Sequence, residues 1–171
     1  MKLPDQRIFG GDEIGTWLES LSNTTVNEKG AREVGIRSTG HESTRVTVLL
    51  MARADGFKLK AAVIIPRARP IKALERFNNL AIFYRPEGSW MVETLVQKYL
   101  SEQIGHAIFG GTRLLVWNSF IPHYSTTSKN VANKLNIEMS IIPGGCTKYL
   151  QPADVCWNKP FKTNVCKFYQ D

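Results

Sequence analysis

Two acidic residues stand where a side chain is well placed for chemistry. Asp12 follows residues 7–11 (RIFGG), a short apolar run that reads as a strand stopping at that residue. Asp154 follows the Pro143-Gly144-Gly145 loop and falls in the first turn of the last predicted helix. A third position has the same local setting. Residues 113–117 (RLLVW) form a compact apolar strand of the kind buried on both faces, and it ends at Asn118. Side chains at the C-terminal ends of strands in an α/β sheet share a crevice where ligands bind. Three carboxylates there would hold Mg²⁺ or Mn²⁺, hard cations that need anionic oxygens. A pair of such ions holds the attacking and leaving oxygens in phosphoryl transfer. Only two of the three positions carry charge, and an isolated Asp at a strand end is also a turn former or helix cap. Spacing alone leaves both readings open.

The elements that must position these residues follow from local pattern. Residues 24–27 and 33–38 are rich in Thr, Val and Ile and predict short strands. Residues 45–53 (RVTVLLMAR) are β-branched and apolar, a strong strand signal. The turn residues at 38–43 make 33–53 a hairpin, with His41 in its turn. Asp55-Gly56 is a tight-turn dipeptide leading into a strand that Pro66 ends. The first half therefore predicts an antiparallel meander. Residues 66–79 are basic, broken by two prolines, and read as a connection to a short strand, LAIFY, at 80–84. Ser89 is a candidate N-cap for a helix that Gly105 can end, with Met91, Leu95, Val96, Tyr99 and Leu100 at helical spacing. Residues 125–136 predict a weakly amphipathic helix, 137–142 a strand, and the tail from Pro152 a helix that Pro160 must kink or interrupt. Antiparallel strands followed by strand–helix alternation give an α/β fold: a mixed sheet with helices packed on it.

Composition sets bounds on function. A chain of 171 residues with 43% hydrophobic content is one domain's length and can bury its own core. No apolar run reaches the ~18 residues of a membrane span, and the N-terminal residues lack the apolar stretch of a signal peptide. The net charge of +7 raises a polyanionic partner. The excess is concentrated: residues 28–72 hold ten basic residues against four acidic, and residues 113–171 seven against three. The first block could line one face and track phosphates, or be the solvated side of a sheet. Cys146, Cys156 and Cys166 recur at ten-residue intervals, which is not a zinc-ligand spacing. They read as reduced intracellular thiols. Trp17, Trp90, Trp117 and Trp157 read as packing residues, with base stacking open to any that is exposed.

Several strings taken together carry more than spacing. They are Thr39-Gly40-His41-Glu42-Ser43-Thr44-Arg45, Ala54-Asp55-Gly56-Phe57-Lys58-Leu59, Leu114-Leu115-Val116-Trp117-Asn118-Ser119-Phe120, Ile142-Pro143-Gly144-Gly145-Cys146-Thr147, and Leu150-Gln151-Pro152-Ala153-Asp154-Val155 with Asn158-Lys159-Pro160-Phe161-Lys162. In this order, over residues 8–170, they resemble the DDE endonuclease domain of pogo/Tigger-type transposases and their domesticated, centromere-protein-B-related and jerky-like descendants. The resemblance implies a ribonuclease-H-like fold and three carboxylates that bind two divalent metals and cut DNA. It places the first on Asp12 of the Asp12-Glu13 pair and the third on Asp154. The second falls on position 118, where members with an intact site have Asp in a VWDSF-like string and this chain has Asn118. His123 matches a His that often follows the second Asp.

An Asn amide offers an oxygen without charge, so the resemblance implies a DNA-binding, nuclear protein whose Mg²⁺- or Mn²⁺-dependent cleavage is weakened or lost. It further implies one DDE domain over residues 1–171 without the family's upstream helix-turn-helix modules, and neither a membrane nor a small-molecule substrate. Two alternatives stand beside it. One is an active endonuclease in which Asn118 is tolerated or Glu13 substitutes. The other is a non-catalytic interaction scaffold or decayed transposon copy.

Overall fold

A computed structural model describes residues 3–17, 44–105 and 111–170. The strands predicted at 24–27 and 33–38, and His41, lie outside the described residues. Six strands form one mixed sheet: β1 (Ile8–Trp17), β2 (Arg45–Arg53), β3 (Ala61–Ile65), β4 (Leu80–Tyr84), β5 (Arg113–Asn118) and β6 (Ile137–Ile142). Their order is β4-β3-β2-β1-β5-β6. β1, β2 and β3 pair antiparallel, while β4 on β3, β5 on β1 and β6 on β5 are parallel. Among the described residues β1, β2 and β3 thus make the antiparallel part, with parallel strands flanking it on both sides, while the hairpin predicted over 33–53 lies partly outside the described residues.

β1 departs from its prediction. It does not stop at Asp12 but runs five residues further, to Trp17, paired with β2 throughout. Glycine is required within it at one point. A Cβ on Gly11 would stand 2.8 Å from the Leu50 carbonyl oxygen, closer than a carbon can approach. β5 is buried on alternate residues, not on both faces: Arg113, Leu115 and Trp117 face the core, and Leu114, Val116 and Asn118 are half-exposed.

The helices on the core side are α1 (Glu93–Tyr99), α2 (Ile121–Tyr124) and α3 (Thr126–Lys134). Phe9, Leu49, Met51, Ile64, Leu115 and Trp117 from the sheet meet Val96, Tyr99, Leu100, Ala132 and Leu135. α1 begins at Glu93 with Val92 at its cap, three residues later than predicted; Ser89 is buried before the helix starts and caps nothing. It runs into a wide π-type turn, Leu100–Ile104, that Gly105 closes at φ 61°. α3 starts as predicted: the Ser125 hydroxyl accepts from the Ser128 amide at 3.2 Å.

Arg113 turns out to be structural. Its guanidinium is buried and donates to the carbonyls of Ile104 (2.9 Å), Gly105 (2.6 Å) and Leu135. It ties together the C-terminal ends of α1's extension and α3, where helix carbonyls lack partners. Burial lowers its pKa.

The opposite sheet face carries α4 (Thr147–Leu150), a π turn (Ala153–Trp157) and α5 (Asn158–Gln170). α5 runs through Pro160 without the kink or interruption predicted, because Pro160 falls in its first turn, where a missing N–H is tolerated.

Candidate functional site

The site is set by strand register. The parallel pairing of β1 with β5 matches Gly10 to Val116. Two residues further, the same register puts Asp12 level with Asn118, the last residue of β5. Asp12 lies within β1 yet at the C-terminal rim of β5, which reconciles its mid-strand position with a crevice at strand ends. The Asn118 side-chain amide donates to Asp12 Oδ1 at 3.0 Å, and its own oxygen accepts from the Phe120 amide at 3.2 Å.

Asp154 arrives from the other layer. The π turn and the first residue of α5 cross over β1, and Asn158 Nδ2 donates both to Asp12 Oδ2 (2.7 Å) and to Asp154 Oδ1 (2.8 Å). One NH₂ group thus spans two carboxylates contributed by elements far apart in sequence. Gln151 is buried, and its amide donates to the Gly11 carbonyl at 3.1 Å. This bond pins the incoming segment to the strand beside Asp12. Burial pushes the Asp12 carboxyl above the ordinary carboxylate range. The Asn158 hydrogen bond opposes that rise, the charges of Glu13 and Asp154 add to it, and Gln151 opposes it.

Asp12, Asn118 and Asp154, singled out from the sequence, are therefore brought together. Asn158 and Gln151 stand in the family strings without a role of their own. For Asn158 a signal existed: it lies four residues after Asp154, on the same side of a helix. Gln151 gave none, because its partner is a backbone carbonyl.

Glu13 does not join the cluster. Successive side chains on a strand point to opposite faces, and Glu13 faces the core-side helices. Its Oε1 lies 2.7 Å from His123 Nε2. His123 is fully buried, stacked on Trp117 with ring centroids 3.8 Å apart. The pair links β1 to the segment after β5 from below the carboxylates. Among the described residues, no group of three or more His, Cys, Asp or Glu side chains is placed to hold a metal ion.

A cavity of about 200 Å³ opens at this rim between Asp12, Glu13, Asn118, Arg45, Trp90 and Phe120. The Arg45 guanidinium supplies its positive charge and lies over the Trp90 ring at 4.4 Å. Trp90 and Trp17 are more than half exposed, whereas Trp117 is a core residue. Arg53 is paired with Asp55 at 2.9 Å, and Arg32 and Arg37 lie outside the described residues. Arg67, Arg69 and Lys72 stand exposed on the β3–β4 connection, and Lys148, Lys159, Lys162 and Lys167 on the last helices.

The family model of the DDE superfamily endonuclease matches residues 43–171, three-quarters of the chain. The chain belongs to the DDE superfamily of endonucleases. Asn118 and Asp154 fall inside that match, and Asp12 precedes it. Over 168 residues, 96% of the chain, it is 32% identical to the human protein "Pogo transposable element with KRAB domain" and 31% identical to the mouse protein of the same name. It spans 27% of the length of each. Among solved structures, the DDE domain is similar to the crystal structure of the Mos1 strand transfer complex, with a TM-score of 0.56 over 95% of this chain and 41% of that one. The Mos1 transposase paired-end complex with left transposon end follows at 0.50, over 97% and 48%. Both are 10% identical in sequence, so they speak to fold. The mixed six-stranded sheet with flanking helices is ribonuclease-H-like, as the sequence resemblance implied.

Proposed function

We propose that this transposase-derived DDE domain, read as one domain over residues 1–171, binds DNA in the nucleus with its strand-cutting centre degenerate at Asn118. The single observation that carries the reading is the bond from the Asn118 amide to Asp12. Mg²⁺ or Mn²⁺, the ions the family implies, would have to be held by Asp12 and Asp154. A pair of them supplies nucleophile activation and stabilisation of the leaving oxygen in strand cleavage. The donor set does not fit two such ions. Hard cations need anionic oxygens, and the cluster offers two carboxylates whose lone pairs receive amide protons from Asn118 and Asn158. The amides therefore do what cations would do: they offset repulsion between Asp12 and Asp154. DNA binding needs no metal. It draws on the exposed basic residues and on Arg45 at the rim of the site, in a fold similar to that of the Mos1 complexes.

The test is a plasmid-nicking assay in Mn²⁺ beside gel-shift titrations over a range of salt. The expected outcome is salt-dependent DNA binding, no nicking by the natural chain, and nicking gained by Asn118→Asp. Nicking by the natural chain at the level of that variant overturns the degenerate-site reading. Absence of DNA binding at low salt overturns the DNA reading. A fluorescent fusion excluded from the nucleus would count against the location.

A further inference from the structure

A second, larger concavity adjoins the carboxylate cluster but is no part of it. It has a volume of about 860 Å³ and lies between the β2–β3 sheet surface and the start of α5. Its place follows from register. Leu50 on its floor is the cross-strand partner of Asp12, so floor and carboxylate share one face of the sheet. Trp157 and Phe161 line its other wall. Trp157 immediately precedes Asn158, the residue that clamps Asp12 to Asp154, and Phe161 follows one turn later. Lys58 and Lys60 are exposed at its edge, and none of the lining residues is acidic.

We propose that this groove receives an unpaired nucleotide of a DNA strand passing the carboxylate cluster. The inference rests on the DNA-binding reading and deepens it. A nucleobase is a flat apolar body on a polyanionic tether. The groove offers aromatic side chains from one wall, an aliphatic floor at Leu50 and Ala61, and two lysines where the phosphates would run. Aromatic stacking on bases is sequence-tolerant because every base has a π face. Duplex DNA cannot present a base to such a wall without unpairing, so the groove discriminates by strand structure, not by sequence.

The test uses the whole chain and two short DNA probes of equal charge, a fully paired blunt duplex carrying a fluorescent purine analogue and the same duplex in which that analogue stands unpaired opposite an abasic site. The expected result is roughly ten-fold tighter binding of the second probe, with quenching of the analogue. Phe161→Ala and, separately, Lys58→Glu remove the preference and leave blunt-duplex binding, with Phe161→Tyr retaining it. Lys58 is exposed, so its variant reports even where Phe161→Ala folds poorly. Equal binding of the two probes, or a preference that survives both variants, overturns the groove assignment while leaving the DNA reading intact. Failure to bind either probe overturns both. A change in oligomeric mass on Phe161→Ala with the preference unaltered assigns the groove to a second copy of the chain and overturns the proposal.

Discussion

Asn118→Asp is the substitution that separates an amide-clamped cluster from a metal site. Without metal it should destabilise the fold. The Asn118 donor to Asp12 Oδ1 disappears, and a third carboxylate arrives at the same 3.0 Å separation. A hydrogen bond to a charged group contributes about 1.5–3 kcal/mol. For a chain of this size each kcal/mol moves Tm by about 2–4 °C, so a loss of roughly 2 kcal/mol lowers Tm by about 4–8 °C. The Coulombic repulsion adds less than its face value, because two carboxylates in contact share a proton instead of both ionising. That sets a pH signature. Burial already raises the Asp12 pKa in the folded state, so protonating Asp12 favours folding. The stability tied to it is present at acidic pH and is lost as pH rises through the raised folded value. In the variant the raise is larger, so its deficit should be widest at neutral pH and close on acidification. Mn²⁺ should reverse it: a ligand at about a hundred times its Kd adds ~2.7 kcal/mol. The assay is thermal unfolding of both proteins in chelator and in Mn²⁺, at neutral and acidic pH. A variant that melts no lower than the natural chain in chelator refutes the reasoning, as does a natural chain that gains as much from Mn²⁺.

Three further outcomes follow from the packing. Gly11→Ala should cost about 1–3 kcal/mol by overpacking, because its Cβ would meet the Leu50 carbonyl. Gly15→Ala should cost less, because its Cβ would meet only the Arg45 guanidinium, the end of a flexible side chain; denaturant titration of the two variants ranks them. His123→Ala removes a buried ring from Trp117 and leaves Glu13 without its partner, for a loss of about 3 kcal/mol by urea unfolding; a loss under ~1 kcal/mol would show that the pair is not structural. Arg113→Lys should lower stability through its three carbonyl hydrogen bonds without altering the salt dependence of DNA binding.

Strand patterns made much of the fold legible. LAIFY and IEMSII occupy the predicted residues, 80–84 and 137–142, because β-branched and apolar runs bounded by turn residues have few other uses. The errors share one physical cause, tertiary context overriding a local signal. Gly10, Gly11 and Asp12 look like a strand terminus, yet β1 continues because β2 pairs with every residue from Phe9 to Trp17. Ser89 looks like a cap, yet it is buried and the helix begins beyond it. Arg113 counted towards a basic surface, yet its partners are backbone carbonyls that no pattern in the sequence marks.

The cluster itself was half legible, and the missing half changes how Asn118 is read. From sequence, Asn118 is a lost carboxylate in an otherwise intact set. In the fold it is one of two amides, with Asn158, that between them offer hydrogen bonds to both Asp12 oxygens and to Asp154. A carboxylate pair held only by water would repel and splay apart, while an amide with two protons can bridge it. If loss of charge at position 118 were mere decay, nothing would require Asn over Ala or Ser there. The amide makes Asn the residue that keeps Asp12 hydrogen-bonded on both sides. Asn118→Ala should therefore destabilise the chain as Asn118→Asp does, but without recovery in Mn²⁺. If Asn118→Ala is neutral in thermal unfolding, the amide clamp contributes nothing and position 118 is simply vacant of function.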